Sequence, residues 1–338
     1  MSLPDVTRGT QPIRPCEKFE GHDHWVWGVI HLPDGQRIMT CSQDGSLGIW
    51  NLQTGERIAN WRDGGSAVKT IALSADGKRV ASGSYDGLVR LWNIEKGMAT
   101  GKWTGHTHIV ETVCWDRHDK RVLSGSRDGT ARVWSVESEK TIVEIKTGLI
   151  HVWAAIFSPD MTMIATAGHN IDDELIKIWD ANTGEKLASI GFGRKGNNVY
   201  CLAWTSDGTT LVSGSDDRLI RTWNTFTWEQ IAVLTAHTED VNSIAISPNG
   251  RILASTSWDN TARLWNLENG QSIGGSPFQR TTRWLNCVSF STNGNLLAAG
   301  CDDNNAYTWD ISTVVQEAGL DSSPNVNDHW HFFTALFN

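Results

Sequence analysis

No run of eighteen apolar residues occurs in the 338-residue sequence, so no segment has the length and polarity of a membrane-crossing helix, and a membrane partner is not expected. The opening residues, MSLPDVTRGTQPIRPC, lack an apolar stretch, and a secretory signal is not expected either. Proline is scarce, at eight, and there is no low-complexity tract. Cysteine is sparse: Cys16, Cys41, Cys114, Cys201, Cys287 and Cys301, with no Cys-x-x-Cys pair. That argues against a zinc site and for reduced, mostly buried thiols. A basic surplus is missing as well. Lys and Arg number 29 against 38 Asp and Glu, a net charge of −9. A general nucleic-acid binder needs basic surface to displace counterions, so nucleic acid is not an expected partner. No phosphate-binding loop is present.

Repetition is abundant. TCSQDGSLGIW (40–50), SGSYDGLVRLW (82–92), SGSRDGTARVW (124–134), SGSDDRLIRTW (213–223), STSWDNTARLW (255–265) and AGCDDNNAYTW (299–309) share one pattern, and a seventh copy with extra residues ends at Trp179. The closing residues are Trp50, Trp92, Trp134, Trp179, Trp223, Trp265 and Trp309, spaced 42 to 45 residues apart. Each unit reads as four short strands separated by turns rich in Asp-Gly and Asn-Gly, where glycine accepts the positive φ of a tight hairpin. A four-stranded sheet with two apolar faces must stack on neighbours. Seven of them in a ring bury one another.

Over about residues 13–316 these motifs resemble the WD-repeat family. The resemblance implies an all-β, seven-bladed β-propeller of four-stranded antiparallel blades around a central channel. Residues 1–12 are then a leader and 317–338 a tail. The last unit ends in TWDISTVVQEAGLDSS, a poor outer strand, whereas PIRPCEKFEGH near the start matches the outer-strand text MATGKWTGH of another unit. Residues Ile13–Glu20 are therefore expected to complete the seventh blade and close the ring.

Three units place a histidine, a hydroxyl, an aspartate and a tryptophan in fixed order: His22, Thr40, Asp44, Trp50; His106, Ser124, Asp128, Trp134; His237, Ser255, Asp259, Trp265. A Ser–His–Asp hydrolase has the same residue types, but it needs one constellation beside an oxyanion hole, not three around a ring. Buried indole N–H groups need acceptors and buried turn aspartates need donors. The resemblance implies that the tetrads are structural braces, with no catalytic residue, metal or cofactor. Gly65 stands in the histidine position of the second unit and Ala299 in the hydroxyl position of the seventh, so those blades should be braced less well. The pairs His22/His24, His106/His108 and His329/His331 have metal-like spacing, but His22 and His106 are already claimed by the braces.

In the first strand of every unit apolar residues recur three apart: Val26/Val29, Val68/Ile71, Val110/Val113, Val152/Ala155, Val199/Leu202, Val241/Ile244 and Leu285/Val288. Both can face the core only if a β-bulge lies between them. The residues flanking the first apolar position then point to the rim. With the turn residue before each brace aspartate, the resemblance implies a partner-binding set. It comprises Trp25, Trp27 and Gln43; Ala67, Lys69 and Tyr85; Ile109, Glu111 and Arg127; His151, Trp153 and Asp172; Asn198, Tyr200 and Asp216; Asp240, Asn242 and Trp258; Trp284, Asn286 and Asp302. Seven of these 21 are Trp or Tyr, in a chain that is 9% aromatic. Trp25 and Trp27 read as surface, Trp115 and Trp204 as core, and His31 as a part-buried histidine.

Trp, Tyr and Arg are common interface anchors. The expected function is a non-enzymatic scaffold that holds a protein or peptide, acting as a monomer or as a subunit of a complex, in the cytoplasm or the nucleus. Acidic groups beside tryptophan also suit Arg, Lys or methylated Lys. The alternative is an intracellular carbohydrate-binding module, with Asn198, Asn242 and Asn286 bonding hydroxyls, and less favoured is a hydrolase. In the tail, Trp330, Phe333 and Phe337 could line one side of a short helix, docked on the ring or recruiting a partner.

Overall fold

The computed structural model describes residues 15–171, 173–192, 197–279 and 283–320. These form seven four-stranded antiparallel sheets. In six of them the strands follow chain order from the channel outward; blade one is Val26–His31, Arg37–Ser42, Ser46–Asn51 and Arg57–Arg62. Innermost strands touch their neighbours all round, Val26–His31 meeting both Val68–Leu73 and Leu285–Phe290. The fold is the expected seven-bladed propeller.

Blade seven draws on both ends of the described chain. Glu17–Phe19 pairs antiparallel with Ala306–Asp310, Glu17 opposite Thr308 and Phe19 opposite Ala306. The N-terminal strand thus closes the ring, through a shorter segment than Ile13–Glu20. After the last closing tryptophan, Trp309, the chain forms a short helix, Ser312–Glu317, and Val315 and Leu320 are buried among Ile273, Phe278 and Ile311. The leader 1–12 and the aromatic segment with Trp330, Phe333 and Phe337 lie outside the described residues.

One packing rule joins the blades. The inward-facing residue near the end of each outer strand covers the closing tryptophan of the next blade. Phe19 meets Trp50 at 6.2 Å, Trp61 stacks on Trp92 at 6.1 Å, Trp103 on Trp134 at 5.6 Å, and Phe278 meets Trp309 at 6.5 Å. Ile145, Ile190 and Leu234 take that place beside Trp179, Trp223 and Trp265. Each buried apolar side chain contributes on the order of 2–3 kcal/mol, so this seam supplies much of the cohesion between sheets. Trp115 and Trp204 are also core, and His31 is more fully buried than expected.

The three tetrads are formed inside their blades. Trp50 Nε1 donates to Thr40 Oγ1 at 2.7 Å, Thr40 Oγ1 lies 2.7 Å from His22 Nε2, and His22 Nδ1 lies 2.9 Å from Asp44. The third blade repeats these distances as 2.8, 2.8 and 2.9 Å, the sixth as 2.9, 2.7 and 2.8 Å. The donors run one way: indole to hydroxyl, hydroxyl to Nε2, Nδ1–H to carboxylate. The aspartate also accepts backbone N–H groups of its own turn, as Asp44 does from Ser46 at 2.8 Å. That turn needs positive φ after the aspartate. Gly45, Gly87 and Gly129 supply it at +81°, +78° and +79°, while Arg218, Asn260 and Asn304 adopt it at +72°, +66° and +70°.

Blades lacking the histidine are not left open, which corrects one expectation. In the second and fifth, Arg90 and Arg221 reach across to Asp86 and Asp217. Blade four keeps the indole bond, Trp179 to Thr166 at 2.8 Å, and Lys177 donates to Thr147 O at 2.9 Å. In blade seven the Tyr307 hydroxyl bonds Asp303. All four substitutes sit two residues before the closing tryptophan. Blade seven keeps the expected defect: with Ala299 in the hydroxyl position, buried Trp309 Nε1 has no acceptor among the described residues.

Candidate interaction site at the channel mouth

A bulge interrupts the first strand pairing of every blade at the expected place, the register shifting between Val26 and Gly28 and at the six equivalent points. The bulged residues are Trp27, Lys69, Glu111, Trp153, Tyr200, Asn242 and Asn286. Six of the seven are buried, Trp27 at 8% exposure and Glu111 at 0%; only Trp153 is part-exposed. This corrects the reading of Trp27, Lys69, Glu111 and Tyr200 as open surface. The bulge does turn them out of their own blade, but seven such side chains converge on one axis and cover each other.

A backbone bond ties the turn residue to the residue before the bulge. Gln43 N donates to Trp25 O at 3.0 Å, Tyr85 to Ala67 at 3.0, Arg127 to Ile109 at 3.0, Asp216 to Asn198 at 3.1, Trp258 to Asp240 at 3.0 and Asp302 to Trp284 at 3.1 Å. The expected positions therefore do gather at one mouth of the channel. The fourth blade departs: Val152 pairs with Gly168, which puts His169 in the turn position, stacked on His151 at 6.2 Å. Asp172, assigned there from sequence, lies outside the described residues.

The mouth has two unlike halves. On blades one to four cations and carboxylate face one another, although among the described residues Glu111 Oε2 has no hydrogen-bond donor. Lys69 Nζ lies 3.6 Å from the Trp27 ring centre and 3.7 Å from Glu111, Arg127 bonds Glu111, and the Arg127 guanidinium lies 4.9 Å from the Trp153 ring centre. Burial lowers the Lys69 pKa to about 8; Glu111 opposes that shift and Arg127 adds to it. Trp27 Nε1 donates to Gln43 at 2.9 Å, and half-exposed Trp25 meets Trp27 edge-on at 5.3 Å.

On blades four to seven aromatic rings follow one another. Trp153 and Tyr200 are 6.2 Å apart, Tyr200 and Trp258 5.5 Å, and Trp258 stacks on Trp284 at 5.2 Å, with Trp284 48% exposed. Between them lie Asp216, Asp240 and Asp302, all with carboxyl pKa values raised first by burial. Asp216 accepts from the Asn198 amide at 2.7 Å, Asp302 from the Asn286 amide at 2.7 Å, and Asp240 from the Tyr200 hydroxyl.

The asparagines invoked for sugar hydroxyls are engaged internally. Buried Asn242 donates to Leu285 O at 2.6 Å and accepts from Thr256, and buried Asn286 bonds Val26 O at 3.1 Å besides Asp302. Of two short glycine motifs, GQSIG at 270–274 lacks the strand–turn–helix setting its chemistry requires, and GFGRKG beginning at Gly191 lies mostly outside the described residues. Ser272 opens an outermost strand and Gly191 ends one.

The WD domain, G-beta repeat family matches the chain seven times, at residues 13–51, 55–93, 97–135, 144–180, 186–224, 228–266 and 276–310. The chain belongs to the WD-repeat family. Among curated proteins this WD-repeat chain is similar to the anaphase-promoting complex subunit cdh1 of Dictyostelium discoideum, 32% identical over 38% of this chain and 17% of that protein. It is similar to Protein FIZZY-RELATED 2 of Arabidopsis thaliana, 34% identical over 39% of this chain and 28% of that protein. It also resembles the WD repeat-containing protein SL1-17 of Schistosoma mansoni, 31% identical over 36% of this chain and 38% of that protein. The matched stretch is less than half the length of each relative.

Proposed function

We propose that this WD-repeat chain is a non-catalytic scaffold that holds a protein or peptide segment at the aromatic mouth of its channel. The observation that carries the reading is the stacked Trp258–Trp284 plate with Trp284 half in solvent. Trp25 adds a further exposed indole on the adjoining blade one. Such plates offer contact area at low entropic cost, and hot spots in interfaces are rich in tryptophan. The Ser–His–Asp sets support a non-catalytic role: each hydroxyl is buried and already accepts an indole N–H. The similar Dictyostelium protein is named as a subunit of a complex, which fits an assembly partner for this chain as well.

The test is affinity capture from native cell extract with the wild type and a Trp25/Trp258/Trp284→Ala variant of equal melting temperature. Partners should be lost with the variant. The same partners on both would remove the aromatic mouth from consideration.

A further inference from the structure

The half of the mouth on blades one to four is a worked example of what these groups require. There the faces of Trp27 and Trp153 each carry a cation of the protein's own, Lys69 and Arg127, and both cations converge on one buried carboxylate, Glu111. A π face and a desolvated carboxylate both favour positive charge, so each such cluster is stable when a cation completes it.

On blades five to seven the same ingredients recur without the cation. Trp258 and Trp284 form the plate, the Trp258 backbone N–H donates to the Asp240 carbonyl at 3.0 Å, and burial first and then the charge of nearby Asp216 raise the Asp240 carboxyl pKa. Among the described residues no ion pair engages Asp216 or Asp240, and no cation lies over Trp258 or Trp284. The basic residues nearby face other carboxylates: Arg218 pairs with Glu239 at 3.9 Å, Arg221 with Asp217 at 2.6 Å, and Arg283 bears on Asp302. Among the described residues buried Asp216 Oδ1 has no hydrogen-bond donor, while its other oxygen takes two from Asn198. An unsatisfied buried carboxylate oxygen costs free energy until a donor reaches it.

We propose that this half of the mouth seats one cationic side chain of the bound segment, its guanidinium or ammonium group lying on the Trp258–Trp284 plate and donating to Asp216 and Asp240. The inference rests on the peptide-binding reading above and adds the charge of the residue recognised. The repulsion between Asp216 and Asp240 is relieved by the ligand's charge, and a guanidinium has the planar shape and the number of donors to stack and bond both carboxylates at once.

The probes are N-acetylarginine amide, N-acetyllysine amide and the neutral near-isostere N-acetylcitrulline amide, titrated into the full chain. The readout is the indole N–H resonances of Trp258 and Trp284, assigned by Trp→Phe substitution. The arginine compound should shift both signals saturably and bind about tenfold or more tighter than the citrulline compound, with affinity falling as salt rises. The lysine compound should also bind, which marks the site as one for charge; binding of the arginine compound alone restricts the proposal to guanidinium. Asp216→Asn/Asp240→Asn keeps shape and should lose about tenfold in affinity for the arginine compound. Trp284→Ala, at an exposed position, should lose a similar factor without a change in melting temperature. Equal binding of arginine and citrulline compounds, or full affinity in the Asp→Asn variant, overturns the cation. The two readings separate in the capture experiment. A partner retained by Asp216→Asn/Asp240→Asn but lost with the tryptophan variant leaves the aromatic mouth standing and removes the cation seat.

Discussion

The Arg90 guanidinium donates to both carboxylate oxygens of Asp86, at 3.1 and 2.6 Å, and to the Ser84 hydroxyl at 3.1 Å. Arg221 repeats this with Asp217 at 3.1 and 2.6 Å. An arginine two residues before the closing tryptophan thus braces the turn in blades where the histidine is missing.

If that is so, Arg221→Ala should strip a largely buried carboxylate of its partner and cost about 2–3 kcal/mol. Arg132 holds the same position in a blade that has its histidine, and it meets the half-exposed Glu144 at 2.9 Å. Arg132→Ala should cost under about 1 kcal/mol. Denaturant unfolding of the two variants measures the difference, and equal losses would end the account of arginine as a brace.

The tetrad aspartates set the acid limit. Burial pushes the Asp259 carboxyl up, yet hydrogen bonds from His237, Thr261 and the Thr238 backbone hold it at about 2. Asp128 is likewise held well below the carboxylate range against burial, by His106 and Thr130. A depressed carboxyl stabilises the fold above its unfolded value, and that contribution disappears as pH falls from about 4 toward 2. Asp128→Ala should lower the melting temperature at pH 7 more than Asp303→Ala, and should flatten the melting profile between pH 4 and 2. Indistinguishable melting of both variants and wild type would count against the tetrad as a brace.

Blade seven should be improvable. Ala299→Ser places a hydroxyl where Ser82, Ser124, Ser213 and Ser255 accept their indoles at 2.8–2.9 Å. Giving Trp309 an acceptor should add about 1 kcal/mol and raise the melting temperature by roughly 2 °C. A lowered melting temperature would show that the seventh blade has no room for the hydroxyl.

His31 predicts a second, milder pH effect. It lies where the first and last blades meet, with Nδ1 3.0 Å from Ser289 Oγ and a hydrogen bond to the Phe290 backbone. Burial lowers its pKa to about 4, that backbone bond opposing the shift. Below the ordinary value of 6.5 the unfolded chain takes up a proton that the folded chain refuses, so stability falls as pH drops from about 6.5 to 4, by roughly 3 kcal/mol in all. His31→Gln should remove much of that slope in calorimetric scans at a series of pH values. An unchanged slope would place the proton uptake elsewhere.

The architecture was legible because each level repeats a physical demand: the spacing of closing tryptophans, the positive φ of the turns, and apolar residues three apart that only a bulge reconciles. What could not be read was distance across the ring. Nothing local tells that Trp27 and Lys69, 42 residues apart in chain, stack at 3.6 Å and close each other off. An insertion of unknown placement hid His169 behind Asp172. The arginine braces left a signal that went unused: Arg90, Lys177, Arg221 and Tyr307 stand two residues before the closing tryptophan in the four blades without a complete tetrad.

The seam of blade seven bears on how the molecule forms. Glu17–Phe19 contributes three residue pairs to Ala306–Asp310, yet it joins chain from opposite ends of the ring. The chain-entropy cost of closing a loop grows only with the logarithm of its length, so joining segments about three hundred residues apart costs only ~2 kcal/mol more than joining segments thirty apart. Inner-strand packing between blades one and seven and the Phe19–Trp50 contact offset that readily. What long separation costs is time. The seam belongs at the end of folding, after the blades it joins, and until it forms the flanks of blades one and seven are the apolar surfaces left open to another chain.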